Sequence, residues 1–211
     1  APEADLVIVK GTRSRDNTSS FREDDQLAAL QWITARAAEL NEPFVVNMSL
    51  GGHGSQHDGT DSVEVGIDNL LVNGTGRQVV IAAGNEGQDG IHVGGRLAQG
   101  ATASVRFALN PTAQAMLVLY NARDTVTVSV TKPNGTTVGP LALGSAITSD
   151  ADVDLEHAAG NAGSNTNGVG IAFKHAVQGI WRLNIQATKV VNGRFDAWAV
   201  DDGGAEFDPD V

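Results

Sequence analysis

Few residues in this chain could do chemistry, and the most pointed of them is Asn85. It closes the stretch Val79-Val80-Ile81-Ala82-Ala83-Gly84-Asn85-Glu86-Gly87, where a hydrophobic run stops at a Gly-Asn dipeptide. Three β-branched residues followed by small ones predict a buried strand, with the amide projecting from its carboxyl end. Open α/β sheets place their ligands at that edge. A carboxamide there can donate to a developing oxyanion, but Gly and Asn also make ordinary turns, so the dipeptide alone leaves both readings open.

The other candidates are weaker. His53 and His57 are four apart and Asp58 follows. On a helix such histidines would converge on a metal, but His53 to Thr60 is Gly-rich and polar, so the stretch reads as loop histidines. Asp150-Ala151-Asp152-Val153-Asp154 opens like a calcium loop but lacks the glycine and distal glutamate that complete one, which predicts solvated strand carboxylates. Trp181 and Trp198 could form a carbohydrate platform, yet both lie in strand-like runs and are expected in a β-sheet core. No cofactor and no metal are expected.

Composition narrows the class. The chain has 211 residues and no cysteine, which removes disulfides, thiolate zinc sites and a cysteine nucleophile. The formal charge is −11, most of it in residues 1–90. Such a balance repels phosphate backbones and anionic lipid, so neither nucleic acid nor membrane is expected as a partner, and the acidity serves solubility. No apolar run approaches the roughly 18 residues that span a bilayer, and no amino-terminal stretch has the look of a signal peptide.

The elements that would position Asn85 follow from periodicity. Asp5 to Lys10 is a short apolar run of parallel-strand character, and Gly11 to Ser19 is loop-like. Ser20 to Glu23 has capping-box spacing, with Asp24 as an alternative cap. Leu27, Leu30, Ile33, Ala37 and Leu40 then make one apolar helix face that Asn41 and Pro43 terminate. Phe44 to Leu50 predicts a second buried strand. Asp61 and Glu64 flank a second helix with Val63, Ile67, Leu70 and Leu71 on one face, ended by Asn73-Gly74. Strand, helix, strand, helix, strand implies a parallel sheet covered by helices.

After Gly87 helical periodicity disappears. Ala103 to Leu109, Ala115 to Tyr120, Thr125 to Thr131, Asp152 to His157, Gly168 to His175, Ile180 to Ala187 and Arg194 to Val200 predict short strands. Lys132-Pro133-Asn134-Gly135 predicts a turn and Gly160 to Gly168 a flexible loop. This spacing predicts an antiparallel β-sandwich or jelly roll.

Three landmarks then resemble one family in its own order. Ala1 to Lys10, Asn47-Met48-Ser49-Leu50-Gly51 and Ala82 to Gly87 are similar to consecutive segments of the subtilisin-like serine proteases. The resemblance implies that Asn85 is the oxyanion-hole asparagine. It implies that Ser49, Leu50 and Gly51 pair with extended substrate backbone. It further implies that Ala82, Ala83 and Gly84 wall the pocket for the side chain preceding the scissile bond, with Glu86 near its base. The family's Asp-Thr-Gly or Asp-Ser-Gly, His-Gly-Thr-His and Gly-Thr-Ser-Met-Ala motifs are all absent from this sequence.

The chain therefore reads as the middle of a subtilisin-like endopeptidase. Residues 1–90 would be part of the α/β catalytic core, and residues 91–211 an inserted sandwich with an acidic return segment. Gly179 to Ile185 and Asn192 to Trp198 resemble the last strands of a sandwich inserted in certain bacterial subtilases, and His57 to Thr60 resembles a segment of the same subgroup. The implied partners are a polypeptide substrate and the rest of the protease chain, and an exported or cell-envelope bacterial location fits loosely. The rival is a non-catalytic module, a pseudoprotease or a sandwich that recognises protein or glycan.

Overall fold

The computed structural model describes residues 3–11, 21–72, 74–160, 163–175, 177–200 and 204–207. The chain divides into two compact units, Ala1–Leu50 with Gly59–Ala83, and Gly51–Asp58 with Gly84–Val211.

In the first unit, helix α1 (Glu23–Leu40) precedes strand β1 (Phe44–Met48), and helix α2 (Ser62–Val72) precedes strand β2 (Arg77–Ile81). Glu23, Asp24 and Asp25 load the first turn of α1 with negative charge, where the helix dipole favours it. Arg22 takes the N-cap position without a side-chain cap bond, so Asp24 lies inside the first turn; Ser20 is outside the described residues. Asn41 ends the helix in the left-handed conformation, φ 54°. At α2, Asp61 Oδ1 accepts from the Val63 N–H at 2.9 Å while Glu64 Oε2 accepts from the Asp61 N–H at 3.1 Å, a reciprocal capping box. The stop signal expected at Asn73 lies outside the described residues. Gly66 weakens helix propensity, but a Cβ there would stand 2.2 Å from Leu27 Cδ2, so its bareness lets α1 and α2 close.

Strands β1 and β2 pair in parallel from Phe44↔Arg77 to Met48↔Ile81. Leu30, Met48 and Leu70 form the small core, with Phe44, Val46, Ile67, Leu71 and Val79 packed on it. The alternate residues face away from the helices, and Val45 and Val80 are 70% and 49% exposed. The expected buried strand at Val79-Val80-Ile81 is therefore covered on one face only. Asp5 to Lys10 forms no strand, and Leu6 and Ile8 are more than four-fifths exposed. A parallel strand exists only through its ladder, and the sheets formed by the described residues do not include this segment.

The second unit is antiparallel: β3 (His92–Arg96), β4 (Thr102–Leu109), β5 (Ala115–Asn121), β6 (Thr125–Thr131), β7 (Thr137–Ala142), β8 (Thr148–Ser149), β9 (Val153–Ala158), β10 (Thr166–Phe173), β11 (Ile180–Lys189), β12 (Arg194–Ala199) and β13 (Ala205–Phe207). They form two sheets, ordered β3-β12-β5-β10-β9-β8 and β13-β4-β11-β6-β7. One apolar cluster draws on both. Val118 stands opposite Val169 on one side and Ala197 on the other, all fully buried, and Trp181 stands opposite Phe107 in the second sheet. The Lys132 to Gly135 turn forms as expected, with the Gly135 N–H on Lys132 O at 2.9 Å. Thr166 to Gly168, expected in a flexible loop, instead begins β10, because these residues pair with Gly168↔Leu119 to Thr166↔Asn121 of β5.

Asp124 ties two turns of this unit together. Only 5% exposed, its Oδ1 accepts from the Val191 and Asn192 N–H groups and its Oδ2 from Gly193 N–H, at 2.5, 2.9 and 2.7 Å. Burial alone would raise its pKa, but the three backbone donors outweigh it and hold the carboxyl below the ordinary 3.8. The charged form is thus favoured in the fold, and its contribution is complete above the unfolded value and lost as the pH falls through the folded one. Asp124→Ala should cost about 2–3 kcal/mol in urea unfolding at neutral pH, since it strands buried donors. Asp124→Asn should cost less, and its deficit against the parent chain should shrink as the pH is lowered below 3.8.

Candidate functional site

The carboxyl ends of β1 and β2 lie side by side. Met48 stands opposite Ile81, and the Ala82 N–H donates to Met48 O at 3.1 Å, so Ser49-Leu50 and Ala82-Ala83 leave the sheet together. Leu50 packs on the small core, while Ser49 is exposed and its Oγ accepts from Asn47 Nδ2 at 3.3 Å. Gly51, also exposed, opens the 51–58 segment of the second unit.

The Gly84-Asn85-Glu86 turn belongs to the second unit. Gly84 has φ +95°, a conformation that L side chains resist. Glu86 folds back over it: Oε2 accepts from the Asn85 backbone N–H at 2.8 Å and would lie 3.1 Å from a Cβ on Gly84. The Asn85 side chain is exposed and makes no hydrogen bond among the described residues. The same Glu86 Oε2 lies 3.7 Å from His53 Nε2, both side chains being less than one-fifth exposed.

His53 leads to a cluster that the sequence does not announce. Trp198, expected in the core, points outward from β12. Phe195, Ala197 and Ala199 take the inward positions, so Arg194, Asp196 and Trp198 must face the other way. His92, directly opposite Trp198 on β3, lies on the indole at 3.9 Å between ring centroids, and His57 at 4.5 Å. His53 runs within 5° of parallel to it at 6.2 Å. The 51–58 segment is fastened beside them by Asp58 Oδ2, which accepts from Thr166 Oγ1 at 2.6 Å and Ser164 Oγ at 3.2 Å. A groove of about 610 Å³ opens here, lined by His57, His92, Arg194 and Asp196 among others, and Asn85 is not part of it. Burial disfavours the Asp196 charge, but Arg194 at 2.8 Å and His92 at 3.0 Å hold its carboxyl below the ordinary 3.8.

The remaining candidates resolve into structural pairs. Asp150 and Asp152, expected as solvated carboxylates, are only partly exposed and are ion-paired. They clamp Lys132 Nζ at 2.5 and 2.7 Å, leaving Lys132 8% exposed and its pKa above 10.5 through those two bonds. Asp154 pairs with Lys174 at 2.7 Å. Trp181 is fully buried, as expected, with its indole N–H on Val177 O at 2.9 Å. Tyr120 and His157 form a hydroxyl–imidazole pair at 2.6 Å, sealed in the core. His157 Nδ1–H donates to Leu141 O at 3.1 Å, leaving Nε2 to accept from Tyr120, and burial holds the imidazole below 6.5. Among the described residues no group of three or more His, Cys, Asp or Glu side chains could hold a metal ion, and no helix is long and apolar enough to cross a membrane.

The sequence model of the subtilase family matches residues 1–145, more than half of the chain. The chain belongs to the subtilase family. The solved structure of the Clostridium perfringens CspB protease resembles this subtilase chain with a TM-score of 0.76 at 20% sequence identity, a likeness of fold. It covers 92% of this chain and 43% of that one, so the chain spans less than half the length of that protease. A search of curated proteins finds no match.

The turn geometry gives a test of its own. Gly84→Ala should destabilise the second unit by about 1–2 kcal/mol, because the side chain resists positive φ. Amide exchange should quicken first at Asn85 and Glu86, whereas Gly87→Ala, with open space around its Cβ, should change little.

Proposed function

We propose that the chain is an internal segment of a subtilisin-like serine endopeptidase, which hydrolyses peptide bonds through an acyl-enzyme. In this reading Asn85 donates its side-chain amide to the oxyanion. Ser49, Leu50 and Gly51 pair with the substrate backbone, and Ala82, Ala83, Gly84 and Glu86 shape the pocket for the side chain preceding the scissile bond. The observation that carries the reading is the family match over residues 1–145, which contains both motifs in order. Val45, Val80 and the Leu6 to Val9 run, exposed in the first unit, add support as surface that further chain of a larger core would cover.

Residues 1–90 then represent part of the catalytic core and residues 91–211 an inserted jelly roll. The strand orders support that reading. With the short β8, its partner β9 and the short β13 set aside, the eight remaining strands run first, eighth, third, sixth in one sheet and second, seventh, fourth, fifth in the other. Two nested Greek keys give that order.

Two measurements test the proposal. The 211-residue chain contains none of the family's three catalytic motifs, so a serine-directed fluorophosphonate should leave it unlabelled; labelling of one serine, lost on denaturation, would refute the segment reading. In the full-length protease, Asn85→Ala should lower kcat by about 10²–10³, roughly 3–4 kcal/mol, with little change in KM. Near-normal turnover in a well-folded variant would return Gly84-Asn85 to an ordinary turn.

A further inference from the structure

The charge nearest Asn85 is negative, which is the wrong sign for a group that must meet an oxyanion. Glu86 Oε2 nonetheless accepts the Asn85 backbone N–H at 2.8 Å, so the carboxylate is bound to the very residue it would otherwise oppose. Gly84, at φ +95°, lies directly beneath that oxygen, and a Cβ there would stand 3.1 Å from it. On its other side Oε2 meets His53 Nε2 at 3.7 Å. His53 is offset-stacked on Trp198, and its carbonyl accepts from His57 Nε2–H at 3.4 Å, a ring that also stacks on Trp198. All these residues lie in one unit.

We propose that Glu86 is a positioning residue for Asn85, and that His53, carried on the Trp198 face of the antiparallel sheets, positions Glu86. The inference rests on the oxyanion reading of Asn85. It adds a route by which the sheets bear on catalysis without touching substrate: the indole orients His53, His53 orients the Glu86 carboxylate, and the carboxylate fixes the backbone from which the Asn85 amide projects. Misplacing a catalytic group by about 1 Å can cost as much as a hundredfold in rate.

The test joins two readouts. In the 211-residue chain, Glu86→Ala should accelerate amide hydrogen exchange at Asn85 about tenfold or more, with protection of β5 and β12 unchanged, because the acceptor of that N–H is gone. Glu86→Gln keeps an acceptor oxygen and should restore protection. In the full-length protease, Glu86→Ala should lower kcat about ten- to a hundredfold, and Glu86→Gln should recover most of it. Trp198→Ala should act in the same direction more weakly, and Trp198→Phe should be tolerated. Unchanged exchange at Asn85 in Glu86→Ala, or loss of kcat in Ala and Gln variants alike, overturns the positioning role while leaving a low-turnover Asn85→Ala variant to uphold the oxyanion reading. Normal turnover in Asn85→Ala overturns both.

Discussion

The apolar layer between the two antiparallel sheets accepts side chains of one parity only, and the outer surface of the unit follows from that. Val118, Val169 and Ala197 meet in register at zero exposure, so their strands have no freedom to slip by one residue without turning every side chain over. Phe195, Ala197 and Ala199 go in and Arg194, Asp196 and Trp198 go out. An indole on an outer face is a large apolar surface left to water, and His57 and His92 cover it. Asp58 fastens the covering segment to β10, and the same segment brings His53 to Glu86. Core packing thus reaches the Asn85 turn through a short series of contacts, each fixed by the one before it.

The polar contacts of this unit join points that are far apart in sequence. Asp124 collects three backbone donors from the β11–β12 turn, and Lys132 reaches across to Asp150 and Asp152. A buried carboxylate or ammonium is tolerable only when its partners are complete, so each specifies which turns can neighbour which. The first unit has less to hold it: its core is Leu30, Met48 and Leu70, and the second face of its two-stranded sheet carries exposed Val45 and Val80.

That contrast explains what the sequence discloses. Strands β4, β6, β9, β10, β11 and β12 are legible because each buries one face, which writes alternation into the residues, whereas β5 is legible as an apolar run with both Val118 and Leu119 buried. β3 hides behind Gly94-Gly95, β7 carries Pro140 at a sheet edge, and β8 and β13 are two and three residues long. The Asp5 to Lys10 run states that burial is wanted, not where a ladder partner is. Trp198 was readable by parity, since Phe195 and Ala197 already claim the inward positions. The clamp on Lys132 was not, because nothing local marks carboxylates 18 and 20 residues away as its partners. Asn85 stands out through the order of its motifs, whereas the return of Glu86 onto its own turn goes with a positive φ at Gly84 that the residue type permits but does not announce.

On the proposed oxyanion reading of Asn85, the return of Glu86 bears on an electrostatic difficulty. Two negative charges about 6 Å apart at an effective dielectric near 20 repel by roughly 3 kcal/mol. That is about what a single oxyanion-hole donor supplies, so in that reading a carboxylate free to swing toward the oxyanion would offset the proposed role of the Asn85 amide. In this turn the Glu86 carboxylate is engaged by the Asn85 N–H and faces the His53 imidazole, and both side chains are largely withdrawn from water. Donors directed at a carboxylate draw its charge toward themselves and restrict where its oxygens can go. The place of the Glu86 oxygens beside Asn85 is thus set by this turn, through the positive φ of Gly84, the Asn85 N–H and the neighbouring His53 ring.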